Sequence, residues 1–284
     1  MNSHSRLPAS MTDSAVSFLD FERAGWGNSD VCESYDAMLS SVTVQCIGAL
    51  LDASRVGPGA RVLDVATGAG YVAAAAAGLG AQAVGIDFSA AQVALARRRY
   101  PALRFEEASA DALPFADDDF DAVVSSFGMP HFPDPDAAMR NAYRVLKPGG
   151  RFAFSVWDAP ERAVGFGAIY AAIRAHGSLD VGLPVGPNFF LFSDPAQCKT
   201  SLLNAGYAAP VVSVVPQVWR VPSAEAAVET ILQATVRASA TLRAQTPKAR
   251  TAIVAAIKHR IEAYRDADGY AVPMPAVVAS ARKP

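Results

Sequence analysis

Apolar and polar positions follow two rhythms along the chain, and the switches between them mark the elements. From Asp30 to Ala53 the apolar residues Val31, Tyr35, Met38, Leu39, Val42, Cys46, Ala49 and Leu50 recur at the spacing of a helix face. That spacing predicts one or two amphipathic helices, ended by Gly57-Pro58-Gly59. Short apolar runs then alternate with helical stretches. Arg61–Ala66, Ala83–Asp87, Leu103–Ala108, Phe120–Ser126 and Arg151–Trp157 read as buried strands. Tyr71–Leu79, Ser89–Arg99 and Asp136–Val145 read as helices. Ser89 can cap the second, which Tyr100-Pro101 closes, and the third ends at Lys147-Pro148-Gly149-Gly150. Strands alternating with helices imply a parallel sheet covered on both faces, and right-handed crossovers make it doubly wound.

After Trp157 the rhythm changes. Phe166–Ala175 is helix-like and leads into a glycine- and proline-rich loop, GLPVGPNFFLF. Pro195–Ala205 reads as a helix, Val211–Val221 as a strand, residues 223–265 as two or three alanine-rich helices, and Tyr270–Arg282 as a final strand returning to the sheet. The expected organisation is a polar, disordered segment at 1–14, N-terminal helices at 15–58, and a core at 59–158. Insertions at 159–193 and 222–266 join the N-terminal helices to form a helical lid. The remainder of the sheet falls at 194–221 and 267–284.

Composition narrows the class. The 284 residues are 51% hydrophobic and 18% charged, as in a globular chain with a large core. The net charge of −2 gives no basic excess to draw the chain to nucleic acid or an anionic membrane. The one dense basic run, Arg97-Arg98-Arg99, reads as a solvated helix end that complements the helix dipole. Cys32, Cys46 and Cys198 have neither disulfide nor metal spacing, and an odd, sparse set fits a reducing cytoplasm. The first residues lack the apolar core of a signal peptide, and the Val72–Ile86 stretch is broken by Gly78 and Gly80, so it is not expected to span a membrane.

The strongest local chemistry is VLDVATGAG at Val62–Gly70, a strand running into a glycine turn and then a helix. Gly68 and Gly70 let a ligand approach the backbone closely. Asp87 ends the next strand, where a ribose-hydroxyl acceptor is expected. Taken alone this also suits a nicotinamide dinucleotide. The stretches SADALPFADDDFDAVVSSFGMPHFPD and LKPGGRFAFSVWD add more, and with them Val62–Asp158 resembles the class I S-adenosylmethionine (SAM)-dependent methyltransferases, in particular the ubiquinone/menaquinone-biosynthesis type.

The resemblance implies a Rossmann-like, seven-stranded, mostly parallel sheet and SAM as cofactor, with 59–158 as the SAM-binding core. It implies that Asp64 and the turn Ala66, Thr67, Gly68 and Gly70 hold the methionine end. Asp87 would accept from the ribose hydroxyls, with Phe88 packed on the adenine. Asp111 would accept from the adenine amino group, with the Ala112 N–H facing the ring. Ser126 would offer a backbone carbonyl near the SAM amino group, and Tyr35 would reach in from the N-terminal helices. Ala66 departs mildly from the glycine common at its position.

Methyl transfer is an in-line displacement from an activated donor, so alignment of the acceptor dominates. A base is needed only for an acidic acceptor proton. His131, in the loop after strand four, is the catalytic candidate; the alternative is a histidine that bonds the loop backbone. Trp26, Trp157, His176, Asn188 and Phe189 are candidates for the acceptor pocket, with Phe190 and Phe192 beside them. Asp158 reads as a helix cap or a base, Asp117-Asp118-Asp119 as a solvated turn, and His4 and His259 as surface residues. No metal is expected. The expected partner is a small-molecule acceptor, hydrophobic or aromatic, without nucleic acid or membrane; a homodimer stays open. Three rivals remain: a macromolecule methyltransferase, a non-methylating enzyme that uses the sulfonium charge, and an NAD(P) oxidoreductase.

Overall fold

A computed structural model describes residues 16–284; the expectations for 1–14, including His4, lie outside that range. The chain opens with α1 (Phe18–Trp26) and α2 (Ser29–Thr43), each begun by a side-chain cap. Ser17 accepts from the Asp20 N–H, and Asn28 from the N–H groups of Asp30 and Val31. A 3₁₀ turn and α3 (Ile47–Ala53) follow. The alternating region then gives β1 (Arg61–Val65), α4 (Tyr71–Gly78), β2 (Gln82–Asp87), α5 (Ala90–Arg99), β3 (Arg104–Glu107), β4 (Phe120–Ser126), α6 (Pro135–Val145) and β5 (Leu146–Trp157).

Beyond it come α7 (Val164–His176), α8 (Pro195–Asn204), β6 (Ala208–Val215), β7 (Val218–Val221), α9 (Ala224–Ala234), α10 (Arg237–Arg243) and α11 (Pro247–Glu262). The last elements are β8 (Arg265–Asp266), β9 (Gly269–Pro273) and β10 (Ala276–Arg282). The main sheet has seven strands in the order β3-β2-β1-β4-β5-β10-β6. Only β10 runs antiparallel to its neighbours. The order reverses between β1 and β4, so the crevice of this open sheet lies beyond the C-terminal ends of those two strands. A small apolar cluster, Ala73, Val93, Ala96 and Phe105, packs α4 and α5 against β3, and two large ones cover the rest of the sheet. One holds Val62, Val124, Phe127 and Trp157 with α2, α3, α7, α9 and α11. The other holds Leu63, Ile86, Phe120 and Phe154 with α6 and α8.

Four expectations change here. The strand over Val211–Val221 is two strands, β6 and β7, in different sheets, and Tyr270–Arg282 likewise divides into β9 and β10. The cause is proline. Pro216 on one side and Pro273 and Pro275 on the other have no N–H for the ladder, so both chains of the pair bend together. The ladder passes from Ala276↔Val215 to Val218↔Pro273, and a second, three-stranded sheet β7-β9-β8 results. The part of the chain expected to add helices beyond the core sheet therefore contains strands as well. The Lys147–Gly150 turn lies inside β5, where the pairing with β4 shifts register between Phe120 and Ala122.

The basic run is exposed in the last turn of α5, as expected of a solvated helix end, and it also makes specific contacts. Arg97 donates to the Phe105 carbonyl, Arg98 pairs with Glu33, and Arg99 pairs with Asp36 while stacking on Tyr71. These contacts fasten α5 to β3 and α2. All three cysteines are free and buried. Among the described residues no helix is long and apolar enough to cross a membrane.

Candidate functional site

Two adjoining cavities open beyond β1, β2 and β4. The first, about 860 Å³ including open space, is lined by Asp64, Ala66, Thr67, Gly68, Asp87, Phe88 and Ser126 from the sheet edge, and by Trp26, Tyr35 and Asp36 from the N-terminal helices. The second, about 670 Å³, is largely aromatic. It is lined by Phe18, Phe127, Trp157, Phe166, Tyr170 and Phe189, among others. Trp26, Tyr35, Phe127 and His131 line both.

The first cavity is shaped by backbone geometry. β1 is followed by Ala66 at φ 58°, and β4 by Phe127 at φ 57°. Both are left-handed conformations unusual for residues with a Cβ, and such strain concentrates at functional sites. Gly68 (φ 54°) has no neighbour nearer to its missing Cβ than Gln92 Oε1 at 3.9 Å. A side chain at that position would project into the space above the turn. Asp87 accepts from the Gly68 N–H at 3.0 Å and from the Ser89 N–H at 2.9 Å, one on each oxygen. Each oxygen keeps a lone pair for a ligand hydroxyl. Burial pushes the Asp87 carboxyl up to about 6 despite those bonds and the nearby His131.

Asp64 is fully buried. One oxygen accepts from the Thr67 hydroxyl at 2.5 Å and the Ala73 N–H at 3.1 Å. Its Oδ1 has no hydrogen-bond partner. Burial, with Asp87 as a smaller contributor, raises this carboxyl to about 7. An orphaned carboxylate oxygen on the wall, a glycine cradle and a two-oxygen acceptor at the strand end together suit an ammonium, a close backbone approach and vicinal hydroxyls. The residues present therefore fit SAM. Ser126 joins the wall through its own residue and bonds hydroxyl to hydroxyl with Ser155 at 3.0 Å.

The boundary between the cavities holds a polar cluster that the sequence did not announce. Glu22, only 3% exposed in its side chain, lies 2.8 Å from His131 Nδ1. Trp26 Nε1 is 3.1 Å from the same Glu22 oxygen and 3.4 Å from His131 Nδ1. Nδ1 cannot donate to Glu22 and accept from Trp26 at once. The shorter contact to a charged acceptor wins, so both Nδ1–H and the indole N–H donate to Glu22. The His131 side chain therefore bonds a carboxylate of α1 rather than its own loop backbone. Trp26 packs edge-on against Tyr35 and His131, at 5.3 and 5.2 Å between ring centres. Its carbonyl accepts from the Ser89 hydroxyl at 2.5 Å and the Cys32 thiol at 3.1 Å. Burial raises the Tyr35 phenol, which stays protonated and is a donor rather than a base.

Several expected residues stand elsewhere. Asp111 and Ala112 are exposed and outside both linings, and the Ala112 N–H is donated to the Ser109 carbonyl within a turn. His176 is exposed in the last turn of α7, and Asn188 is exposed with its side chain accepting from the Phe190 N–H. Neither lines a cavity, because α7 carries His176 to its far end and the Asn188 side chain is spent on its own turn. Asp158 is fully buried, pairs with Arg162 and accepts from the Ala159 N–H; it caps no helix, since α7 starts after Ala163 without a side-chain cap, and it lies outside both cavity linings. Trp157 and Phe189 do line the second cavity. Glu22, Gln92, Tyr170 and Arg237 were not anticipated, and only the aromatic character of the region signalled any of them.

Comparisons with known proteins agree in direction. Residues 63–154 match a family described as a methyltransferase domain. An uncharacterised protein of Mycobacterium tuberculosis is 36% identical over 167 residues, 57% of this chain and 58% of that protein. The demethylmenaquinone methyltransferase of Beutenbergia cavernae is 43% identical over 122 residues, 43% of this chain and 50% of the relative. The chain thus spans between half and three-fifths of the length of these curated relatives. Among solved structures, Haemonchus contortus phosphoethanolamine N-methyltransferase 2 in complex with SAM shares the fold at a TM-score of 0.59 and 21% identity, covering 95% of this chain and 61% of that one.

Proposed function

We propose that the chain is a class I SAM-dependent methyltransferase that methylates a small apolar or aromatic acceptor; its residues 63–154 match a methyltransferase domain, and it is similar to an enzyme named demethylmenaquinone methyltransferase. The observation that carries this reading is the common wall. Trp26, Tyr35, Phe127 and His131 face both the Asp87 cavity and the aromatic one. Donor and acceptor would meet at that boundary.

Bound SAM supplies a methyl group on a positively charged sulfur, already activated for displacement. The residues of the chain do the rest. Asp87 holds the ribose hydroxyls by charge-assisted bonds, which are among the stronger ones. Phe88 and Gln92 line the same cavity and bound the adenine side. Asp64 and the Ala66–Gly70 turn hold the amino-acid end, with the Ser126 carbonyl beside it. Trp26 and Tyr35 close over the junction, excluding water and presenting aromatic faces to a cation. Trp157, Phe166 and Phe189 set the acceptor against the donor, and such alignment is worth on the order of 7–11 kcal/mol. His131 takes the acceptor proton when the acceptor atom is a protic oxygen or nitrogen. The net charge of −2 and the apolar second cavity favour a small molecule over a nucleic acid or protein.

Calorimetric titration tests the premise. SAM and S-adenosylhomocysteine are expected to bind at one site per chain, and Gly68→Val to abolish both while the protein stays folded. Absence of heat and of a thermal shift with either compound at millimolar excess would remove the methyltransferase reading.

A further inference from the structure

We infer that the acceptor carries an anionic oxygen group, held by Arg237 on the wall of the aromatic cavity; the inference rests on the methyltransferase reading of that site. Arg237 is half-buried at the start of α10. Its guanidinium lies over the rings of Phe18 and Phe21, at 5.5 and 5.4 Å, and donates to the Pro184 carbonyl. A guanidinium has five N–H donors in a planar fork that matches a carboxylate or sulfonate. None of the ion pairs among the described residues includes Arg237. Glu22, the carboxylate that lines the same cavity, is already engaged by His131 and Trp26.

A cation with no counter-ion among the described residues, set against an apolar wall, is costly to desolvate, and the cost is offset when an anion docks. The rest of the cavity, with Phe166, Tyr170 and Phe189, suits the apolar body of such a ligand. The acceptor class is thus an aromatic or apolar acid.

Binding of two fluorescent dyes to the full chain separates this from a purely structural clamp. Anilinonaphthalenesulfonate carries the anion; N-phenylnaphthylamine has a similar body and none. Arg237→Ala is expected to weaken the sulfonate dye about tenfold or more and leave the neutral dye unchanged, with Arg237→Lys recovering part of the loss. Equal sulfonate affinity in wild type and Arg237→Ala overturns the inference, as does parallel loss of both dyes. Neither measurement needs turnover, so a failure here leaves methyl transfer standing, whereas a missing SAM heat removes methyl transfer and not the anion site.

The buried contact between α1 and the loop after β4 carries a second inference, independent of the first. We propose that Glu22 is a positioning residue that fixes the His131 tautomer. With Nδ1–H donated to Glu22 at 2.8 Å, the lone pair sits on Nε2, on a residue that lines both cavities. An acceptor hydroxyl passes its proton to Nε2 as its oxygen forms the bond to the methyl carbon; the electron pair of the broken C–S bond stays on sulfur. The imidazolium, paired with Glu22, then releases the proton to water.

Imidazole nitrogen NMR of the full chain, above the histidine titration, reads the tautomer directly. Wild type is expected to show Nδ1–H for His131. Glu22→Leu should convert it to Nε2–H, and Glu22→Gln, whose amide oxygen can still accept, should restore Nδ1–H. A wild-type Nε2–H signal, or an unchanged Nδ1–H signal in Glu22→Leu, overturns the proposal.

Discussion

At the scale of single residues, two buried carboxylates tie ligand binding to pH. Asp87 rises to about 6 and Asp64 to about 7 from an ordinary value of 3.8, in both cases because burial disfavours the charged form. Their folded values lie above their unfolded ones. The folded chain therefore holds protons that the unfolded chain has released, and ligand-free stability falls as pH rises from about 4 to 7. For Asp87 the shift of about two units corresponds to roughly 3 kcal/mol. The ligand needs the opposite state, an ionised acceptor for the ribose hydroxyls. SAM affinity should hold steady above about pH 7 and drop toward tenfold per unit below about pH 6. Calorimetry across pH 5–8 measures this, and Asp87→Asn should give weak binding that keeps only the part of the pH dependence due to Asp64. A flat wild-type profile would mean that Asp87 does not hold the ligand.

At the scale of elements, one hydroxyl joins two helices. Ser89 caps α5 by accepting from the Gln92 N–H at 3.2 Å and donates to the last carbonyl of α1, that of Trp26. Ser89→Ala is expected to cost about 1–2 kcal/mol, with the lost cap as the main part, measured by denaturant unfolding. SAM affinity should fall as well, because Trp26 loses its anchor; a variant with wild-type affinity would show that the Trp26 position does not depend on this bond. The Arg98–Glu33 and Arg99–Asp36 pairs act at the same scale, joining α5 to α2. Exposed pairs of this kind contribute little singly. The buried tie through Ser89 is expected to matter more than either.

At the scale of the whole molecule, the N-terminal helices cover a cavity whose floor is the sheet. A ligand that binds only the folded chain at a hundredfold excess over its dissociation constant stabilises it by about 2.7 kcal/mol. That stabilisation should appear unevenly. Hydrogen exchange with S-adenosylhomocysteine is expected to slow most in α1, α2 and the turns after β1, β2 and β4, and least in β10 and α8, which line neither cavity. Uniform slowing would place the ligand away from the lid. The donor carries its own activation, so turnover is expected to survive a chelator.

Much of the architecture is local and was legible in the chain. The strand and helix periods of β1 to β5, the Ser89 cap, the glycines of the turn and the carboxylate ending β2 all depend on residues near one another in sequence, where dihedral preferences and side-chain period act directly. The prolines at 216, 273 and 275 were equally visible. What they do together depends on two strands lying side by side, so the second sheet was not foreseen. The same limit explains the second cavity. Glu22 and His131 are 109 positions apart, and Arg237 meets Phe18 across more than two hundred. His176 and Asn188 were placed in the site by proximity in sequence to the aromatic loop, and the course of α7 and one Asx turn carry them away. The sequence by itself determined the periods, caps and turns, because short-range sterics and hydrogen bonding act within a few residues. Only the tertiary structure decided which polar side chains share the apolar cavity, because that depends on how distant segments pack.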